Sequence, residues 1–125
     1  MSSTRKNQIR PAVSYAILLG NVLEEMRGTN FTQAQLAQAA GVTQATWSRY
    51  ENGQLSITVE ELLLASQILG TTIDEIILRT KERCSNLQSR GVTVWLQPRT
   101  KQIDAGLALM GAAGLALLLG AMLKD

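Results

Sequence analysis

Residues 32–53 read TQAQLAQAAGVTQATWSRYENG, and this stretch decides the fold of the chain. Thr32 is a typical N-cap, and apolar residues then recur at the spacing of a short amphipathic helix. Gly41 follows that helix, where a sharp turn needs a residue that tolerates positive φ. Thr43 caps a second helix, which ends at an Asn-Gly pair with turn chemistry. The stretch therefore predicts a helix, a tight turn and a second short helix.

The second helix has two chemically different faces. Its large apolar side chains, Trp47 and Tyr50, are expected to face inward together with Val42. Such a helix can be held against a core while its other faces meet an external partner. The small or polar side chains left on those other faces are Gln44, Ala45, Ser48 and Arg49.

This pattern resembles the lambda-repressor/Cro (XRE) helix-turn-helix family over about half of the chain, from roughly Tyr15 to Leu78. The turn holds Gly41, and the family's Glu-Asn-Gly ending is present as residues 51–53. The resemblance implies a five-helix fold whose second motif helix enters the DNA major groove. The family's buried positions are occupied here by Leu36, Ala37, Ala40, Val42, Trp47 and Tyr50.

The same resemblance implies which side chains read the bases. Gln44 can pair with adenine, Ala45 can touch a thymine methyl group, and Arg49 can contact guanine or a phosphate. Thr46 or Ser48 is expected nearer to the DNA backbone. We therefore expect double-stranded DNA as the partner of this helix.

Further contacts to the DNA backbone are implied for Gln33, Thr43 and Asn52. Gln33 matches the family's phosphate-contacting glutamine, and N–H groups at helix starts favour anions. The family also often pairs an arginine with the motif's glutamate. This correspondence predicts an ion pair between Arg27 and Glu51.

Three further helices are predicted around the motif by cap and stop signals. A capping box, Thr58 with Glu61, begins one of them, and Pro11 favours a helix start. Residues 11–80 are expected to form the DNA-binding domain, and residues 1–10 a basic N-terminal arm. The predicted helices run from Pro11 to about Arg27, from Thr58 to Gly70, and onward from Thr72.

The composition argues against catalysis. The chain has no His and a single cysteine, Cys84, which excludes the usual zinc ligand sets, an internal disulfide and Cys-His nucleophiles. Carboxylates occur as adjacent pairs near helix ends, where they complement the helix dipole. No Gly-rich phosphate loop is present. We expect no enzyme activity, no metal and no cofactor.

Charge predicts that one copy of the domain binds DNA weakly. Residues 1–80 contain six basic and seven acidic side chains, a net charge of −1. Sequence-independent affinity for DNA comes mainly from cations that neutralise phosphates. A homodimer on a two-fold operator offsets this deficit by raising the effective concentration of the second domain.

Residues 81–102 are predicted to be a basic linker. Residues 81–101 hold five basic side chains and one acidic one, a net charge of +4. GVTVWLQP, residues 91–98, alternates like a short β-strand that is too short to be stable alone. Two arrangements are open for it: pairing with a second copy, or lying at a membrane surface with Trp95 as anchor.

The C-terminal stretch AGLALMGAAGLALLLGAML, residues 105–123, has 19 residues without a charged or hydrogen-bonding side chain. As a helix it would span roughly 28 Å at ~1.5 Å per residue, close to the ~30 Å hydrocarbon thickness. We predict a transmembrane helix over residues 103–123 in contact with membrane lipid. The alternative is a helix that packs against its copies in a soluble oligomer.

Two features of this segment suggest how it is used. More basic residues precede it than follow it, so the positive-inside rule keeps the N-terminal domain in the cytoplasm, at the inner membrane. Small residues recur every fourth position and form a seam that lets helices approach closely in lipid. The seam consists of Ala108, Ala112, Ala116 and Gly120.

Together these patterns predict an all-α fold: a five-helix lambda-repressor-like DNA-binding domain, a short linker with a β-strand, and a C-terminal transmembrane helix. The predicted function is a membrane-tethered, sequence-specific transcriptional regulator, a repressor by family habit, that binds a palindromic operator as a homodimer. One alternative is a membrane-anchored adaptor, like those of the bacterial rod-shape cytoskeleton, that binds a protein partner. Another is a soluble antitoxin-like repressor. The polar reading face favours DNA.

Overall fold

The computed structural model describes residues 10–96, 107–109 and 111–123. This part of the chain contains six α-helices and three short β-strands. The elements, in chain order, are β1 (Arg10–Ser14), α1 (Tyr15–Arg27), α2 (Gln33–Ala40), α3 (Gln44–Glu51), α4 (Val59–Leu69), α5 (Ile73–Ser89), β2 (Thr93–Trp95), β3 (Leu107–Leu109) and α6 (Ala112–Leu123).

Four helices begin with the same chemistry, a threonine N-cap. The hydroxyl oxygen of each accepts a hydrogen bond from the backbone N–H three residues further on, at 3.1 Å in every case. Gly41 and Gly70 end α2 and α4 in the left-handed conformation, with φ of 78° and 71°. The helix boundaries predicted between residues 32 and 72 are thereby confirmed. The capping residues are Thr32, Thr43, Thr58 and Thr72.

The first hydrophobic core lies among helices α1 to α5 and contains five of the six buried positions that the motif predicts, all except Val42. Phe31 and Val42 pack against its edge. Since α2 and α3 both contribute to this core, the motif is fixed as one unit. Its buried members are Val22, Leu23, Leu36, Ala37, Ala40, Trp47, Tyr50, Leu62, Ala65 and Ile76.

The backbones of α1 and α3 approach very closely at Gly20. A Cβ atom at this position would fall well inside contact distance of the carbonyl oxygens of Tyr50 and Glu51. Glycine is therefore required at the centre of α1, although it is a poor helix former. No local pattern in the sequence indicates this contact.

The predicted start of α1 at Pro11 is wrong. Residues 10–14 form strand β1, and the helix begins at Tyr15, where the Ser14 hydroxyl oxygen accepts a hydrogen bond from the Ile17 N–H at 3.1 Å. Proline also occurs in the first residues of strands, so Pro11 alone did not distinguish the start of a helix from the start of a strand. The basic arm predicted over residues 1–10 lies outside the described residues except for Arg10.

The three strands form one parallel sheet in the order β2-β1-β3. Ala12 pairs with Thr93 of β2 and with Leu109 of β3. The strand predicted within residues 91–98 is thus confirmed, and it pairs with β1 of the same chain. Pairing with a second copy and contact of Trp95 with a membrane surface stay predictions. The all-α class is corrected accordingly to a mostly helical fold with a small sheet.

Helix α5 continues past the predicted domain boundary at residue 80 and ends at Ser89. Thr80, Cys84 and Leu87 recur at helical spacing on its inward side, and Thr80 and Leu87 are fully buried. Arg83 donates hydrogen bonds to Asn21 and Glu25 of α1. The basic composition of this segment favoured a linker, but its residues up to Ser89 belong to α5, where Lys81 is exposed and Arg83 contacts α1.

A second hydrophobic core lies where the sheet, α1, α5 and α6 meet. Leu18 of α1 belongs to it, whereas Val22 and Leu23 belong to the first core, so α1 is shared by both. The buried members of the second core are Val13, Leu18, Leu87, Val92 and Leu115.

The transmembrane helix predicted over residues 103–123 is not found. Leu107–Leu109 is a strand, and α6 has 12 residues, about 18 Å at ~1.5 Å per residue. In the described ranges no helix has both the length and the apolar character needed to cross a bilayer. Leu115 of α6 is fully buried in the second core, whereas Leu117 is 78% exposed. The inner-membrane location that this segment suggests stays a prediction.

Candidate nucleic-acid interface

Helix α3 is fixed to the first core by its two aromatic residues. Trp47 is fully buried and Tyr50 is 7% exposed. Their rings meet edge to face, with centroids 5.9 Å apart and planes at 79°. The opposite side of α3 is therefore presented to solvent in a defined orientation.

A buried carboxylate fixes the helix further. Glu51 is 2% exposed and accepts hydrogen bonds from three residues on three different helices. Arg27 donates through Nε at 2.6 Å and Nη2 at 3.0 Å, which makes the pair bidentate. Trp47 Nε1 donates at 2.7 Å and Gln33 Nε2 at 2.8 Å. The Arg27–Glu51 ion pair predicted from the family resemblance is confirmed.

The residues expected to read bases lie on the solvent side of α3. Gln44, Ala45 and Arg49 are exposed, and Thr46 and Ser48 are half-buried. Arg49 makes no hydrogen bond or ion pair within the residues that the structure describes. Since Glu51 points inward, Arg49 carries the only charge on the outer side of this helix.

The side chains expected to contact the DNA backbone are partly engaged within the protein. The Thr43 hydroxyl oxygen accepts a hydrogen bond from the Thr46 backbone N–H. The Thr43 hydroxyl also donates a hydrogen bond to the Thr46 hydroxyl oxygen at 3.1 Å. Thr46 therefore keeps a free O–H donor, and Thr43 does not. Gln33 and Asn52 each use one amide hydrogen, toward Glu51 and toward the Ser48 carbonyl oxygen, and each retains a second.

A contact that the sequence analysis missed joins α3 to α4. The Tyr50 hydroxyl donates to Glu61 Oε1 at 2.6 Å, and the same oxygen accepts the Thr58 N–H at 3.1 Å. Burial, together with Glu61, raises the pKa of Tyr50 to about 12. Burial alone would raise the pKa of Glu61, but hydrogen bonds from Tyr50 and Thr58 outweigh it and lower that pKa. The Thr58–Glu61 capping box pointed to this glutamate, but nothing in the sequence pointed to Tyr50 as its donor.

The profile of the helix-turn-helix family matches residues 9–76, which include α1 to α4 and the start of α5. Among curated proteins, none matches the chain.

Two solved structures are among those similar to this chain. The clp gene regulator ClgR from Corynebacterium glutamicum is 21% identical, with a TM-score of 0.58 over 61% of this chain and 82% of that chain. The restriction-modification controller protein C.AhdI from Aeromonas hydrophila is 22% identical, with a TM-score of 0.46 over 49% of this chain and 94% of that one. The likeness to ClgR shows that a large part of this chain adopts a known fold.

Proposed function

This chain belongs to the helix-turn-helix family through residues 9–76, and from that membership we propose that it is a sequence-specific repressor that binds a palindromic operator as a homodimer. Membership makes the chain a DNA-binding transcriptional regulator. ClgR, which shares the fold, is itself a gene regulator. Repression, the palindrome and the homodimer are the parts that are proposed.

The observation that carries the proposal is the outer side of α3. Gln44, Ala45 and Arg49 are exposed there, on a helix whose inner side is held by Trp47 and Glu51. A side chain that reads a base edge must be free of internal partners and must project from a fixed backbone. Arg49 meets both conditions.

Each reading residue has a distinct task. The Gln44 amide donates to and accepts from adenine, and the Ala45 methyl group packs on the thymine methyl. Arg49 donates to guanine or to a phosphate. The free donors of Thr46, Gln33 and Asn52 hold the helix in register on the backbone without reading sequence.

We propose a homodimer because one copy of the domain contacts too few base pairs to specify an operator. Three side chains specify few base pairs, and each correct pair contributes only about 1–3 kcal/mol of discrimination. The net charge of −1 over residues 1–80 adds little sequence-independent affinity. Two copies on an inverted repeat double the contacts and match the two-fold symmetry of the DNA. Repression then requires only that the bound dimer blocks the site.

Docking of a protein partner is a second candidate function, and one observation favours it. Val59 and Leu63 lie one turn apart on α4 and are 74% and 48% exposed. Exposed apolar side chains on one helix face are typical of protein-binding surfaces. The outer side of α3 lacks this character, so we rank DNA binding first.

Selection of bound sequences from random DNA by the full-length protein separates the two functions. We expect one inverted repeat to be enriched, and the complex to contain two protein copies by sedimentation. Absence of any enriched sequence at low salt, together with tight binding to another polypeptide, would favour the docking function.

The variant Gln44→Ala tests the base-reading assignment. We expect it to lose about 1–3 kcal/mol on the selected site and little on random DNA. Gln67→Ala is the matched control, because Gln67 is an exposed helical glutamine on α4. Equal losses on both kinds of DNA would show that Gln44 does not read a base.

A further inference from the structure

A cavity of about 250 Å³ lies beside α3, outside the reading surface. Leu19 and Leu23 of α1, Tyr50 of α3 and Ile57 of the following loop contribute to its lining. Leu23 is fully buried and Leu55, also in the lining, is 44% exposed. The cavity thus reaches from the first core to the surface.

The lining is apolar and carries no charged side chain. Its polar groups are the hydroxyls of Tyr15, Tyr50 and Ser56. The Tyr50 hydroxyl already donates to Glu61, whereas those of Tyr15 and Ser56 have no hydrogen-bond partner among the described residues. Burial, with a smaller effect of Cys84, raises the pKa of Tyr15, so this hydroxyl remains a neutral donor.

Two exposed large apolar side chains lie at this cavity. Leu55 is 44% exposed and Leu96 is 76% exposed. Exposed apolar surface that continues into an apolar cavity is typical of a ligand site, because a bound molecule removes both from water. The apolar area thereby covered would supply most of the binding free energy.

We propose that this cavity binds a small neutral molecule, mainly apolar, that carries a single hydroxyl or N–H group. The volume limits its size, since an apolar cavity of ~150 Å³ holds benzene and pockets for drug-sized ligands start near ~300 Å³. A monocyclic or bicyclic aromatic, or an alcohol of medium chain length, fits between these limits. An anion is disfavoured because the lining holds no cation and the Glu61 carboxylate adjoins Tyr50.

Calorimetric titration of the full-length protein at pH 7 with three probes tests the proposal. Indole and 1-octanol are the neutral probes, and octanoate has the chain length of 1-octanol with a carboxylate. We expect saturable binding of one neutral probe per chain and a rise in melting temperature. Octanoate should bind at least about tenfold more weakly, since burial of an unpaired charge is costly.

Two leucines of similar exposure provide a matched pair of variants. Leu55 lies in the lining, and Leu78 on α5 is 48% exposed and lies outside it. Leu55→Ala should weaken the affinity for 1-octanol about three- to thirtyfold, given ~0.8 kcal/mol per buried methylene. Leu78→Ala should leave that affinity unchanged. Ala16→Phe, which places a ring in the cavity, should abolish binding.

The proposal is overturned if no neutral probe saturates, if octanoate binds as tightly as 1-octanol, or if Leu55→Ala and Leu78→Ala behave alike. The leucine pair keeps the test decisive even if Ala16→Phe fails to fold. These titrations contain no DNA. Failure of ligand binding therefore leaves the proposed operator binding standing, and failure of the DNA selection leaves the ligand site standing.

Discussion

At the scale of single residues, the carboxylate of Glu51 joins three helices at one point. It accepts hydrogen bonds from Arg27 on α1, Gln33 on α2 and Trp47 on its own helix. Arg27 also donates to the Phe31 carbonyl oxygen at 3.2 Å, which ties down the segment before α2. The orientation of α3 therefore depends on a charge that never meets DNA.

Glu51→Ala should cost about 3–5 kcal/mol of the free energy of unfolding. The substitution leaves the Arg27 guanidinium, on a side chain that is 16% exposed, without its counter-ion, and the buried Trp47 N–H without an acceptor. Urea denaturation followed by circular dichroism measures the loss. Glu60→Ala, at an exposed site on α4, should stay within about 0.5 kcal/mol of the wild type. A loss below about 1 kcal/mol in Glu51→Ala would contradict the structural role given to this carboxylate.

Titration of Tyr50 makes the stability of the domain depend on pH in the alkaline range. Its pKa is raised from 10.0 to about 12 in the folded protein, so the folded state holds the phenolic proton more tightly than the unfolded state. The resulting stabilisation is complete below pH 10 and is lost as the pH rises from 10 through about 12.

The stability difference between wild type and Tyr50→Phe should therefore shrink over that range. Titration of Tyr15 and of the lysines occurs in both proteins and cancels from the difference. Chemical denaturation of both proteins at several pH values measures this difference in the free energy of unfolding. A difference that stays constant between pH 9 and pH 12 would be inconsistent with the raised pKa.

At the scale of elements, the placement of α3 depends on a close approach of backbones. Gly20 of α1 faces the carbonyl oxygens of Tyr50 and Glu51, which leave no room for a Cβ atom. Gly120 of α6 is also helical, but a Cβ atom there would meet nothing within 4 Å. The two glycines thus form a matched pair, one packed and one free.

Gly20→Ala should destabilise the protein by more than 2 kcal/mol, because α1 and α3 must separate to admit the methyl group. Gly120→Ala should be neutral or should stabilise α6 by about 0.5–1 kcal/mol through its higher helix propensity. Thermal denaturation of both variants checks the contrast. Similar melting temperatures for the two would argue against the close approach.

The sequence predicted those elements whose signals are local. The threonine caps and the left-handed Gly41 depend on a few consecutive residues, and they were found where expected. The start of α1 and the end of α5 depend on distant partners: β1 needs β2 and β3, and Leu87 needs the second core. The single-sequence pattern carried no information on those pairings.

The candidate site shows the same division. Family resemblance placed Gln44, Ala45 and Arg49, which are exposed, but it did not show that Thr43 is occupied by Thr46. Hydropathy likewise did not distinguish a bilayer from a protein core. The apolar stretch that suggested a membrane span supplies Leu115 to the second core.

At the scale of the whole molecule, α1 connects two cores. Leu18 lies in the second core, while Val22 and Leu23, about one turn further on, lie in the first. α1 contacts α3, α5 and α6 as well as β1. We therefore expect the helix-turn-helix and the sheet to unfold together as one cooperative unit.

The two tryptophans report separately on the two parts, since Trp47 lies on α3 and Trp95 on β2. Trp47→Phe retains only Trp95, and Trp95→Phe retains only Trp47. For each variant, we expect the urea midpoint measured by tryptophan fluorescence to equal the midpoint measured by circular dichroism. Adding Leu115→Ala, which empties a fully buried site in the second core, should lower both midpoints by the equivalent of about 2–5 kcal/mol. Leu117→Ala, at a side chain 78% exposed, should lower neither. A response confined to Trp95 would mean that the cores are independent.

The position of β1 at the centre of the sheet also affects the order in which the chain folds during its synthesis. Ala12 leaves the ribosome first, and its partners Thr93 and Leu109 follow 81 and 97 residues later. At ~5–20 residues per second, β1 waits about 4 to 20 seconds for the strands that flank it. Helices α1 to α4 can assemble during that interval, because their contacts are near in sequence. The sheet thus closes only after the chain of α1 to α5 has been made, and until then β1 lacks the strands that flank it in the folded protein.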